Sequence, residues 1–177
     1  GRVRVSGALG EAELDVPFPG VHNARNAVAA WCAAVLLGAD PARAGRGIAD
    51  FAGTGRRFED RGSAHGVRVV DDYAHHPTEV AALLRAARPV AAGRGLVLFQ
   101  PHLYSRTVRF AREFAEALGL ADEVIVTDIY GAREDPAPGV SGALITDLMG
   151  PHARFVADRH EAARVLGAAA RPGDLLL

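Results

Sequence analysis

Residues 67–88 read VRVVDDYAHHPTEVAALLRAAR. The opening VRVV is short and apolar enough for a buried strand, and a helix is expected from Pro77, a residue well suited to a first helical position. Between them DDYAHHPTE, Asp71 to Glu79, places three acids, a phenol and two imidazoles within a few residues. Polar groups at the end of a buried strand are costly to hold unless water, a ligand or a metal satisfies them.

The same strand-then-helix pattern continues downstream. GLVLF at 95–99 precedes a helix from about Ser105 to Leu118, and EVIVTDI at 123–129 precedes a short helix near 141–149. RFV at 154–156, a helix from about Arg159 to Ala170 and DLLL at 174–177 complete the series. This alternation predicts an α/β fold with a mostly parallel sheet covered by helices on both faces. Upstream, RVRVSG and EAELDVPF alternate around Ala8-Leu9-Gly10 and predict a hairpin or two edge strands. A helix from Ala24 to Leu37 is apolar on nearly every face, so it is expected to be buried on several sides, with Gly38 ending it. Asp40-Pro41 supplies an N-cap and first position for a second helix through about Phe51. Periodicity stops at Gly53-Thr54-Gly55, which sets the boundary between a segment 1–54 and a segment 55–177.

In open α/β sheets ligands bind beyond the carboxyl ends of the strands. Asp71 and Asp72 follow the first such strand, Gln100 and His102 the second, Asp128 and Tyr130 the third. Three successive strands are thus expected to deliver polar groups to one edge.

Composition narrows the chemistry. The chain has 177 residues and a formal charge of −1, and all twenty basic residues are arginine. Without lysine it holds no P-loop GxxxxGK[ST] and no Schiff-base lysine. The arginines are scattered among acids, which argues against nucleic-acid binding. The lone Cys32 lies in an apolar segment, as a buried thiol of a reducing cytoplasm would. The apolar segments are broken well short of the roughly 20 residues that cross a bilayer. The absence of an initial methionine suggests an excised C-terminal fragment, with some catalytic groups elsewhere.

Each candidate residue has a structural reading beside a functional one. Asp72 suits a metal-bound phosphate, and equally a cap. His75 and His76 point oppositely on extended backbone, so a zinc site using both is not expected. Glu79, in the first helical turn, reads better as a helix-dipole partner than as a catalytic acid. Arg106 at a helix start can clamp a carboxylate or phosphate beside His102; the alternative is a solvated arginine with Ser105 as cap. Asn23 and Asn26 lie one helical turn apart and suit a nucleobase edge, or an N-cap and a buried polar contact. Arg57 can reach phosphates or a ribose, or pair with Glu59.

PGVHNARNAVAA (19–30), GTGRRFE (53–59), VVDDYAHHPTE (69–79), FQPHLYSRT (99–107) and ADEVIVTDIYGAREDPAPGVSG (121–142), in this order and spacing, resemble the Mur ligase family. FQPHxYxRT with DDYxHHPTE points to the branch that joins L-alanine to UDP-N-acetylmuramate. The resemblance implies that 1–54 is a strand and helix remnant of a central ATPase domain, and that 55–177 is nearly all of a Rossmann-like third domain. It implies ATP as cosubstrate, Mg2+ held mainly by the missing central domain, an acyl phosphate intermediate in peptidoglycan precursor synthesis, and no activity of the fragment alone. By position His22, Asn23 and Asn26 correspond to nucleotide contacts, and Arg57 and Asp72 to contacts made with ATP on domain closure. Tyr73, His75, His102 and Arg106 correspond to groups around the incoming alanine and the condensing carbonyl. Leu103 stands where many members have arginine, Ala74 replaces a common glycine, and DLLL stops before the usual glycine-rich tail. The rival readings are the sibling ligase that attaches a recycled tripeptide to the same sugar nucleotide, and a Rossmann-type domain that binds a nucleotide or amino acid without chemistry.

Overall fold

The computed structural model describes all of residues 1–177, which divide into two compact units, Gly1–Gly55 and Arg56–Leu177. In the first unit β1 (Arg2–Gly7) and β2 (Gly10–Asp15) form the expected antiparallel hairpin, from Arg2 opposite Asp15 to Gly7 opposite Gly10. Two helices follow, α1 (Val21–Leu36) and α2 (Pro41–Ala49). Asp40 caps α2 by accepting a 2.8 Å hydrogen bond from the Arg43 amide. Leu14, Val16 and Trp31 are the buried centre, and the Trp31 indole N–H donates to the Pro41 carbonyl at 3.0 Å.

The expectation that α1 is buried on several sides is corrected. Only Trp31 is buried along it, while Ala29, Ala30, Ala33 and Leu36 form an exposed apolar face and Leu37, its C-cap, is 89% exposed. Composition shows what a helix face prefers to touch, and these residues supply cover on one side of it.

The second unit is built on a six-stranded sheet. Its strands are β3 (Glu59–Ala64), β4 (Val67–Asp71), β5 (Gly95–Phe99), β6 (Glu123–Val126), β7 (Ala153–Phe155) and β8 (Leu175–Leu176). They lie in the order β3-β4-β8-β5-β6-β7, with only the β3/β4 pair antiparallel. The helices are α3 (Pro77–Ala87), α4 (Tyr104–Leu118), α5 (Ala143–Thr146) and α6 (Arg159–Ala169). Strand pleating sorts the core into two layers. Val97, Phe99, Val124 and Val126 pack with Val80 and Leu84 of α3, Phe114 and Leu118 of α4 and Ile145 of α5. Leu96 and Ile125, alternate residues of the same strands, pack with Ala162 and Leu166 of α6. Helices therefore cover both faces, as the sequence predicts.

α6 carries the chain back so that β8 enters between β4 and β5. The loops after β4 and β5 consequently flank the end of β8, at the point where connections leave in different directions. The apolar pattern of the sequence does not predict β3: EDRGSA is polar because it is an exposed edge, and it is held by backbone pairing to β4.

Candidate active-site cleft at the strand ends

The loop after β4 is organised by its own acids. Asp72 Oδ2 accepts from the Phe58 amide at 2.7 Å and Oδ1 from the Ala74 amide at 2.8 Å. This carboxylate ties the tight turn at 56–58, where Arg56 and Phe58 both have positive φ, to the start of the polar loop. Asp71 faces the Arg56 guanidinium at 3.5 Å.

His76 is the N-cap of α3 and, with Glu79, forms a capping box. Its Nδ1 accepts from the Thr78 amide at 3.3 Å, and Glu79 Oε2 accepts from the His76 amide at 3.2 Å and the His75 amide at 3.0 Å. Burial disfavours charge on Glu79, but the His75 amide and imidazole, the His76 amide and Arg57 outweigh it and hold its pKa below the ordinary glutamate value. Glu79 is thus a cap. The two histidines part as expected: the His76 ring lies against Phe110 at 5.0 Å, whereas His75 turns toward Tyr73 and His102.

Those rings form the centre of the cleft. Tyr73 and His75 meet edge to face at 5.2 Å, His75 and His102 at 6.0 Å, and His102 and Tyr130 lie 5.6 Å apart. His75 Nδ1 is fixed on the Tyr73 carbonyl at 2.8 Å. Arg106, in the first turn of α4, sets its Nη1 3.4 Å from His102 Nδ1 and 3.5 Å from the His75 carbonyl. The loops after β5 and β6 are joined directly: His102 and Tyr130 form a parallel bridge, with Leu103 N donating to Tyr130 O at 2.9 Å. The three polar strand ends thus converge, although Asp128 turns back to accept from the Ile129 amide at 2.9 Å.

Burial, then the positive Arg106 and the His75 imidazole, push His102 below the ordinary imidazole pKa, with Glu134 pulling the other way. A neutral His102 beside a cationic Arg106 can accept a proton or donate a hydrogen bond, while Arg106 neutralises an anion.

Two groups in the cleft lie outside the sequence-based candidates. Arg56 sits 4.8 Å over the Tyr73 ring, nearer than Arg57 at 5.9 Å. Glu134 accepts from the Ser105 amide at 2.9 Å and from the Ser105 hydroxyl. Ser105 is therefore not the cap of α4; that position is Leu103, at φ 73°. Nor does Arg57 pair with Glu59, which accepts from the Arg56 amide and pairs with Arg61. The signal for Glu134 lay in its place after the third strand.

In the first unit, His22, Asn23 and Asn26 all lie on the first turns of α1, behind its glycine N-cap Gly20. The Asn23 amide donates to the Pro19 carbonyl at 2.7 Å, and Asn26 is exposed. No three carboxylate, imidazole or thiolate groups converge to form an all-protein metal cage. No helix is long and apolar enough to cross a membrane.

The family model for the Mur ligase, glutamate ligase domain matches residues 56–177. The UDP-N-acetylmuramate–L-alanine ligase of Kineococcus radiotolerans is 62% identical over 169 residues, covering 93% of this chain and 36% of the relative. The crystal structure of the UDP-N-acetylmuramate-alanine ligase of Thermotoga maritima matches with a TM-score of 0.75 and 33% identity, over 94% of this chain and 36% of that one. A MurF ligase of Thermotoga maritima, solved in complex with ADP, shares the fold at 18% identity and a TM-score of 0.70, over 99% of this chain and 39% of that one. The chain spans about a third of the length of these relatives. With the family model filling the whole second unit and so similar a relative covering nearly the entire sequence, the chain belongs to the Mur ligase family.

Proposed function

We propose that the chain is part of an ATP-dependent ligase that joins L-alanine to UDP-N-acetylmuramate in peptidoglycan precursor synthesis. The observation that carries this reading is the convergence of Tyr73, His75, His102 and Arg106 at the ends of β4 and β5. An amino acid brings a carboxylate and an amine that must lose protons to attack, and this group offers a fixed cation beside an imidazole kept neutral by its surroundings. The names of the similar ligases support the choice of amino acid.

In this reading residues 1–54 end the central ATPase domain and 55–177 form most of the third domain. The exposed apolar face of α1 is then core surface that the rest of the central domain covers. His22, Asn23 and Asn26 meet the nucleotide, and Arg57 its phosphates. Asp72 has one lone pair of each oxygen committed to an amide, so its free side suits hydroxyl donors of a ribose better than phosphate oxygens. Arg106 binds the alanine carboxylate; Tyr73, His75 and His102 orient the amine toward an acyl phosphate formed from the muramoyl carboxylate and ATP. Attack gives a tetrahedral intermediate, then the amide and phosphate, and the side chains act by positioning and charge neutralisation. Magnesium is held mainly by the rest of the central domain. A cytoplasmic setting, which supplies ATP and sugar nucleotide, suits an unpaired Cys32.

Phosphate release tests the assignment. With ATP, magnesium and UDP-N-acetylmuramate, the full-length enzyme is expected to respond to L-alanine, and the 177-residue chain alone to release none. A response to tripeptide but not L-alanine would move the chain to the sibling ligase; turnover by the chain alone would overturn the domain assignment.

A further inference from the structure

His102 and Arg106 do their work only if the first turn of α4 is held in place, and that turn begins badly. Leu103, its N-cap, sits at φ 73° and ψ 132°, a combination that strongly favours glycine, and its side chain makes no cap. Such backbone persists only where the surroundings over-determine it. Leu103 N donates to Tyr130 O at 2.9 Å, and Leu103 O accepts from the Thr107 amide and from the Thr107 hydroxyl at 2.8 Å. The remaining tie comes from Glu134, 29 residues further along the chain, whose two carboxylate oxygens take the amide and the hydroxyl of Ser105. The loop that carries Glu134 presses closely on the same turn. A Cβ on Gly131 would lie 2.9 Å from Tyr104 Cε2 and 3.0 Å from the Glu134 carbonyl oxygen.

We propose that Glu134 is a positioning residue of the amino-acid pocket: it clamps the first turn of α4 and so fixes His102 and Arg106. The inference rests on the ligase reading above and adds a residue to it. Glu134 also completes the charge around the His102 ring. That ring is faced by Arg106 from α4, by His75 from the loop after β4 and by Tyr130 from the segment after β6, and the charge of Glu134, held on Ser105, acts on it. Arg106 and His75 disfavour a proton on it and Glu134 favours one. A clamp that only held the backbone would leave that balance unchanged when its charge was removed.

Glu134→Gln and Glu134→Ala in the full-length ligase separate the two effects. Glutamine keeps an acceptor for Ser105 and loses the charge; alanine loses both. Alanine is expected to raise the KM for L-alanine about tenfold, as for a lost helix-terminal bond, with the KM for ATP within about twofold. Glutamine is expected to have a smaller effect on that KM. In both variants the His102 ring, followed by NMR, is expected to titrate at lower pH than in the unaltered enzyme. Unchanged kinetics in both variants, or equal changes for ATP and L-alanine, would overturn the clamp. An unmoved His102 titration would overturn its electrostatic part. Should the unaltered enzyme ignore L-alanine, the ligase reading fails instead, and the unaltered control shows this separately. Thermal unfolding of the near-isosteric glutamine variant guards against a simple folding defect.

Discussion

Asp72 shows how one carboxylate can organise a site without being its reactive group. Each of its oxygens accepts a backbone amide, from Phe58 on one side and Ala74 on the other, so it fixes the turn carrying Arg56 and Arg57 against the loop carrying Tyr73 and His75. Asp72→Ala leaves two partly buried donors unsatisfied and is expected to destabilise residues 56–177 by about 2–6 kcal/mol, at about 1–3 per orphaned group. Urea unfolding measures this, and a change within about 0.5 kcal/mol would show that the amides find other partners. The dual role was half legible in the sequence. Spacing placed Asp72 at a strand end but gave no means of choosing between a cap and a ligand. Glu79 is easier, because its place in the first turn of α3 marks it as a helix-dipole partner, although the capping box with His76 emerges only in the structure. Glu134 was not legible as a clamp, since nothing in a linear sequence relates it to Ser105.

Elements were read best where their burial is one-sided and regular. β5 and β6 alternate between two helical layers, and both layers form as the pattern predicts. β3 carries no apolar signal because it is an exposed edge, and α1 is apolar also on faces that stay exposed, so its composition predicts more burial than it has. The opposite end of the sheet from the cleft is secured by a different device. Asp174, just before β8, is 4% exposed and accepts from Arg94 N at 2.9 Å, Arg94 Nη2 at 2.7 Å and Arg171 N at 2.9 Å. Burial alone would raise its pKa, but the Arg94 and Arg171 bonds outweigh it and hold the carboxyl below the ordinary aspartate value. A carboxyl with a depressed folded pKa stabilises fully above its unfolded value, and that contribution is lost as pH falls through the folded one. Asp174→Asn is therefore expected to lower stability by about 2–4 kcal/mol at neutral pH and to flatten its decline below about pH 4. Denaturant unfolding across pH checks both effects; an unchanged acid slope would mean that Asp174 does not anchor β8.

At the scale of the whole molecule, the proposed function places half of a reaction centre on this chain. The cleft of residues 56–177 holds arginines, two imidazoles and two phenols, but no P-loop lysine and no metal cage, and the chain belongs to a family whose similar members are about three times its length. DDYAHHPTE, dense enough to suggest a complete catalytic centre, divides into parts. Asp72, His76 and Glu79 hold the backbone, and Tyr73 and His75 face His102 and Arg106. The central claim is that this second group receives the amino acid. It is tested most directly by Arg106→Ala in the full-length ligase, with the KM for L-alanine and for ATP measured side by side. Loss of a charge-assisted bond of about 2 kcal/mol predicts a rise of about thirtyfold for L-alanine, with ATP nearly unchanged. Equal rises for both, or none for L-alanine, would contradict it.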